Sequence, residues 1–197
     1  MTKINMTFSE EELARMAAEF EQKINEEKER LAKFKDIYTK LFGELSLTDK
    51  LAKFIENDSW VKRISNYFKA NRELMVELSI IDVTGFGSYM DEFFIKELKD
   101  NFRFIDLNFD KLDLPDEDIE LWEKSTVFWF TTGLWLVTVN DTDYIVHEMS
   151  GQGEILYFID TVDDFIANDP NAKRNLSADD LTKFAEQFKE FALKCKN

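Results

Sequence analysis

Forty Asp and Glu side chains, one histidine and one cysteine are the groups in this 197-residue sequence that could move a proton, hold a metal or attack an electrophile. His147 stands beside Glu148 in a stretch whose alternation reads as a strand, which places the two on opposite faces. A general base or metal ligand needs partners on its own side, and no second histidine exists to share a zinc ion. His147 therefore reads as structural. Cys195 is alone, so no intrachain disulfide can form, and it reads as a bystander at a fraying helix end. The sequence contains neither a Gly-x-Ser-x-Gly elbow nor a Gly-rich phosphate loop. Thr84-Gly85-Phe86-Gly87 has glycines for a tight connection but lacks the third glycine of a dinucleotide site, and reads as a turn. Asp141-Thr142-Asp143 and Asp116-Glu117-Asp118 look calcium-like, yet neither continues into the central Gly and distal Glu of an EF-hand loop. Two carboxylates could hydrolyse a glycosidic bond if one lay in an apolar cleft at a set distance from the other, but spacing nominates no pair. Trp122, Trp129 and Trp135 could line a sugar site; their setting among core-like strands reads as packing. The expectation is a protein that is not an enzyme and carries no cofactor or metal.

The carboxylates matter more as a field than as catalysts. Lys and Arg number 25, giving a net charge of −15. Such a chain lacks the cations that neutralise phosphates, which excludes nucleic acid and an anionic membrane as partners. The charge is uneven. Residues 1–80 carry 15 acids and 14 bases, whereas residues 81–197 carry 25 acids and 11 bases. No Lys or Arg occurs between Lys124 and Lys173, an interval holding Asp141, Asp143, Glu148, Glu154, Asp160, Asp163, Asp164 and Asp169. Unpaired carboxylates cost several kcal/mol to bury, so these are expected on the surface, unneutralised unless the N-terminal helices bring lysines to them. A face of this kind steers and docks a basic protein surface. The residues expected to make it are Asp110, Asp113, Asp116, Glu117, Asp118, Asp141, Asp143, Glu154, Asp163 and Asp164.

The elements that must position these residues form an α+β fold. Residues 1–80 read as a helical region, a hairpin or bundle built from a long helix over 9–42 and a broken helix over 47–78. Ser9 and Glu12 make a capping box. Leu13, Ala17, Phe20, Ile24, Leu31, Phe34, Tyr38 and Leu41 then recur in four- and three-residue steps, with Glu27 in the one slot that should be apolar, and Gly43 reads as the stop. This heptad-like seam allows a long helix packed on its own domain, or a homo-oligomer contact through residues 13–41. In the second helix Leu51, Phe54 and Ile55, then Val61, Ile64, Phe68, Met75 and Leu78, supply a buried side. Residues 81–197 read as an acidic α+β region. Ser88 caps a short helix to about Lys99, a strand starts at Phe102, and Asp110–Glu120 is an acidic loop around Pro115. Thr126–Phe130, Leu134–Val139, Tyr144–Glu148 and Ile155–Ile159 are short β-branched and aromatic runs separated by turn residues. They predict an antiparallel meander within about 102–160. Thr161 caps a helix stopped by Pro170, and Ser177 with Asp180 caps a last helix burying Leu181, Phe184, Phe188 and Phe191.

The stretch Val139–Glu148, a turn, then Glu154–Asp160 running into Thr161-Val162-Asp163-Asp164-Phe165-Ile166-Ala167 places two strands before a short helix of the form Asp-x-Phe-aliphatic. Residues 139–167 in this respect resemble the C-terminal part of the SMI1/KNR4 (SUKH) superfamily, many bacterial members of which are immunity proteins that neutralise nuclease toxins. The family's upstream Leu-Pro signature and its glycine-containing turn have no counterpart here. The resemblance implies a protein antagonist. With the charge, it gives the functional expectation of an acidic inhibitor that occludes a basic functional surface of a toxin or nuclease, as immunity proteins and DNA-mimic antagonists do. The alternatives are a scaffold assembling through the N-terminal seam and, second, a carboxylate-dependent hydrolase. Met1–Glu10 has no apolar run of secretory length and no stretch is apolar enough to span a bilayer, so the expected location is the cytoplasm.

Overall fold

The computed structural model describes residues 8–56, 66, 69, 72, 73, 83–125, 131–151, 154–168 and 170–197. Helix α1 spans Glu10–Phe42, α2 Leu47–Glu56, α3 Val83–Asn101, α4 Asp116–Ser125, α5 Val162–Asn168, α6 Pro170–Asn175 and α7 Ala178–Lys196. Strands β1 (Phe104–Asp106), β2 (Thr131–Val139), β3 (Thr142–Gly151) and β4 (Glu154–Thr161) form one antiparallel sheet in chain order. The α+β class and the antiparallel meander are as the sequence patterns require.

Period-two alternation in the strands divides the core in two. Trp135, Val137, Val139, Tyr144, Val146, Ile155, Tyr157 and Ile159 face α1, α2 and α3, where Phe34, Ile37, Tyr38, Leu51, Phe54, Met90, Phe94, Ile95 and Leu98 meet them. Leu134, Leu136 and Ile145 face the other way, onto Leu121, Trp122, Phe165, Ile166, Phe184, Phe188 and Phe191 from α4, α5 and α7. The sheet is therefore covered by helices on both faces. Asn140 and Asp141 both have positive φ (49° and 62°), the backbone of the tight two-residue turn joining β2 to β3.

Three of the caps read from sequence are present. Ser9 and Glu12 bond reciprocally at the start of α1, Thr161 Oγ1 accepts from the Asp164 amide, and Ser177 Oγ accepts from the Asp180 amide. Gly43 closes α1.

Several local expectations fail for physical reasons. Thr84-Gly85-Phe86-Gly87 is not a turn and Ser88 is not a cap, because α3 runs through all of them. Burial of Met90, Phe94, Ile95 and Leu98 along α3 outweighs the helix penalty of about 1 kcal/mol per glycine. Asp110–Glu120 is not a loop: a 3-10 turn at Phe109–Lys111 is followed by α4, whose first turn holds Asp116, Glu117 and Asp118 against the positive end of the helix dipole. The carbonyl of Pro115 accepts from the amides of Asp118 and Ile119. Thr132-Gly133 does not separate two strands; it lies inside β2 at a register irregularity. A Cβ on Gly133 would stand 2.1 Å from the Trp135 ring, so the missing side chain is what lets the indole fold back over the strand. Pro170 ends α5 by opening α6, where its absent amide proton costs nothing. The strand expected at Phe102 is reduced to Phe104–Asp106. The expected strand Thr126–Phe130, Trp129 within it, and the second half of the 47–78 helix lie outside the described residues, the isolated helical positions 66, 69, 72 and 73 apart.

Candidate interaction surfaces

Three of the ten expected carboxylates meet in one place. The β2–β3 turn supplies Asp141 and Asp143, the β4–α5 junction supplies Asp163, and α7 closes the side with Lys189 and the exposed Leu193. Between them lies an open groove of about 490 Å³. Its acids are not all bare. Lys189 pairs with Asp163, and Lys196 donates to both oxygens of Asp143 at 2.8 and 3.1 Å. Thr138 adds a third hydrogen bond to Asp143 at 2.6 Å. Burial alone would raise the Asp143 carboxyl, but the bonds from Lys196 and Thr138 outweigh it and hold the group below the usual aspartate range.

Because folding lowers this pKa, the stabilisation is complete above the ordinary aspartate value and is lost as the pH falls through the lowered one. Asp143→Asn is therefore expected to be less stable than the parent at neutral pH by about 1 kcal/mol, with the difference shrinking as the pH falls below the ordinary aspartate range. Thermal unfolding of both proteins from neutral pH down through that range checks it, and a difference that persists in acid would detach the effect from ionisation.

Asp118 departs furthest from expectation. It is buried, not displayed, and its carboxylate receives Lys183 Nζ and, at 2.8 Å, Gln187 Nε2. Gln187 Oε1 in turn accepts from the Trp122 indole at 2.8 Å. Asp118 thus holds α4 to α7 at the edge of the second core. Asp164 is exposed but engaged with Thr161 as a cap. Asp110, Asp113, Asp116, Glu117 and Asp141 are exposed, with no ion pair to any described residue. Glu154 belongs to β4, with its side chain outside those described.

The expectation that the cation-free interval would stand unneutralised is corrected in part. The compensating lysines come from α7, where Lys189 takes Asp163 and Lys196 takes Asp143; Lys183 from the same helix takes Asp118, which precedes the interval. Helix α7 has to lie across the sheet to bury Phe184, Phe188 and Phe191, and its charged positions then fall beside the acidic rim.

A second group went unseen in the sequence. Glu92 on α3 and Glu148 on β3 lie close enough to feel each other's charge, and both act on the buried Tyr157, as does the buried Asp91. Burial and then the charge of Glu148 push the Glu92 carboxyl up, and burial followed by Glu148 pushes the Tyr157 hydroxyl up. The interaction joins residues 56 apart in the chain, so no periodicity signals it. Among the described residues no three His, Cys, Asp or Glu side chains converge to hold a metal ion. His147 and Glu148 do point to opposite faces: the imidazole packs edge-on to Phe165 at 5.7 Å and shares a 2.7 Å hydrogen bond with Thr131. Cys195 is half-buried in the last turn of α7, and burial first among several influences raises its thiol.

The third surface is on α1. Of its 33 residues only Phe34, Ile37 and Tyr38 are buried. The seam N-terminal to them faces solvent, with Leu13, Met16, Ile24 and Leu31 exposed and Phe20 at 67%. No described helix is long and apolar enough to cross a membrane. Compared with protein-family models, with curated proteins and with solved structures, the chain matches none of them.

Proposed function

We propose that this is a non-enzymatic binding protein that occludes a basic surface of a partner protein, with the groove between the β2–β3 turn and α7 as its contact. The observation that carries the reading is the convergence of Asp141 and Asp143, around the start of β3, and Asp163, in the first turn of α5, on one groove beside the exposed Leu193. Carboxylates around an apolar contact suit an arginine, whose guanidinium pairs with acids while its stem lies on hydrocarbon. The Lys189–Asp163 pair is exposed on both sides and so is weakly held, and an incoming guanidinium can replace the ammonium at little cost. The net charge of −15 and the exposed Asp110, Asp113, Asp116 and Glu117 supply the long-range attraction. The resemblance of residues 139–167 to SMI1/KNR4 immunity proteins points the same way, towards a toxin or nuclease as the partner.

The experiment uses a labelled arginine decapeptide as a stand-in for a basic surface and follows its anisotropy. Binding is expected at low salt and should fade steeply as salt rises. The double variant Asp141→Asn, Asp163→Asn should weaken it about tenfold, as two charge-assisted contacts would. The control removes two charges elsewhere, through Glu10→Gln and Glu11→Gln on α1. An equal loss in the control would mean that the whole molecule's field attracts the peptide, and the groove would be withdrawn as the contact.

A further inference from the structure

Helix α1 carries an apolar stripe that the fold itself does not use. From Glu27 towards its N-terminal end the helix leaves the body of the protein. Among the described residues the ties nearest that end are Tyr89 donating to Glu27 at 2.5 Å and the Arg30 guanidinium lying 5.6 Å from the Tyr89 ring centre. Beyond them Leu13, Met16, Phe20 and Ile24, with Leu31 below, stand exposed at the i, i+3, i+4 and i+7 spacing of a single helix face. That stripe runs about 27 Å along the helix.

The charges along this part of the helix are graded. Residues 10–21 carry five acids (Glu10, Glu11, Glu12, Glu19, Glu21) and one base (Arg15). Residues 22–35 carry three acids (Glu26, Glu27, Glu29) and five bases (Lys23, Lys28, Arg30, Lys33, Lys35). The outer half is therefore strongly negative and the inner half positive. A helix so graded is complementary to itself in only one direction. Parallel pairing sets the two negative halves against each other and forces the two globular bodies side by side. Antiparallel pairing sets each negative half against a positive one, aligns the helix dipoles favourably and leaves the bodies at opposite ends.

We propose that the occupant of the stripe is a second copy of this chain, paired antiparallel through α1 about a two-fold axis near Gln22. In this register Leu13 meets Leu31 of the second copy, Phe20 meets Ile24, and the small Ala17 faces Glu27, which Tyr89 and Arg30 hold at the rim. Glu27 thereby ceases to be an interruption: a small residue faces it in the pair, and its bonds to Tyr89 and Arg30 tie the stripe to the domain. An anionic membrane is a poor competitor, since the chain is negative overall and so is the outer half of the arm. A contact of this length buries roughly 1,000 Å² in total, the low end for specific interfaces, so dissociation in the micromolar range is expected. The inference is independent of the groove, which lies on the far face of the sheet.

Sedimentation velocity of the full chain from about 1 to about 200 µM is expected to show a monomer giving way to a dimer. Phe20→Glu should shift the midpoint at least tenfold while changing helicity and the melting temperature of the monomer little, because Phe20 is 67% exposed. A monomer throughout the range, or a dimer indifferent to Phe20→Glu, overturns the proposal. Direction is read by disulfide trapping in a Cys195→Ser background. Leu13→Cys mixed with Leu31→Cys should give the mixed disulfide, and Leu13→Cys alone should stay unlinked. Rapid homodisulfide formation by Leu13→Cys would mean parallel pairing and would also overturn it.

Discussion

Phe188→Ala is expected to cost about 3–5 kcal/mol, the range for deleting a fully enclosed aromatic ring. Phe188 has no solvent exposure and stands at the centre of the second core. Phe165 lies 5.5 Å away between ring centres, Phe184 and Trp122 6.3 Å, and Phe191 6.4 Å. Removing the ring leaves four aromatic neighbours facing a void that helix backbones cannot collapse to fill. A domain of ordinary stability has about 5–15 kcal/mol in total, so this single change takes a large share of it. In a chain of this size the melting temperature should fall by about 10 °C or more. Calorimetry checks the magnitude. Tryptophan fluorescence adds a local readout, since Trp122 borders the void. A loss under about 1 kcal/mol would mean that the second core is far looser than drawn.

The second large effect is electrostatic. Asp118→Ala should destabilise by about 2–3 kcal/mol, because the change strands Gln187 Nε2 and deprives Lys183 of its counter-charge. With Gln187 released, the Trp122 indole loses its fixed acceptor as well. Asp113→Ala, by contrast, removes an exposed carboxylate with no described partner and should change stability by less than about 0.5 kcal/mol. Denaturant titration of the two variants compares them directly. If both cost the same, the distinction drawn between an acid that fastens the fold and acids left for contact is wrong.

That distinction marks where sequence reading succeeds and where it stops. Ser9, Thr161 and Ser177 announce their helices because a cap is a local bond between residues three apart, and both partners are visible in the string. The β3 and β4 strands are equally plain, since alternation and turn residues are local too. Asp118 reads as one more solvated acid because Lys183 and Gln187 lie 65 and 69 positions away. Glu92 and Glu148 are hidden for the same reason. Proline and glycine mislead where packing overrides preference. Pro115 with three following acids is a helix start that looks like a loop, and Gly85 and Gly87 sit inside α3 because its apolar face secures it. Of the expected contact residues, Asp141, Asp143 and Asp163 do converge, which a count of charges along the chain could not have specified. The heptad pattern was legible throughout α1, yet periodicity cannot distinguish a seam sunk in a domain from one left bare. Phe34 and Phe20 obey the same spacing, and only the first is buried.

Chain order gives the two-sided sheet a further consequence. Helices α1, α2 and α3 all precede the strands, so during synthesis one face of the meander emerges onto a surface already made. Its other face is finished last: Leu134, Leu136 and Ile145 have only α4 and α5 for cover until α7 brings Phe184, Phe188 and Phe191, and Asp143 and Asp163 have no lysines until then either. A ribosome paused before Ser177 would thus hold out a sheet oily on one side and ringed with unanswered negative charge. Chaperones that bind exposed hydrocarbon have their opening in that interval, and a delay there endangers yield more than a delay anywhere earlier.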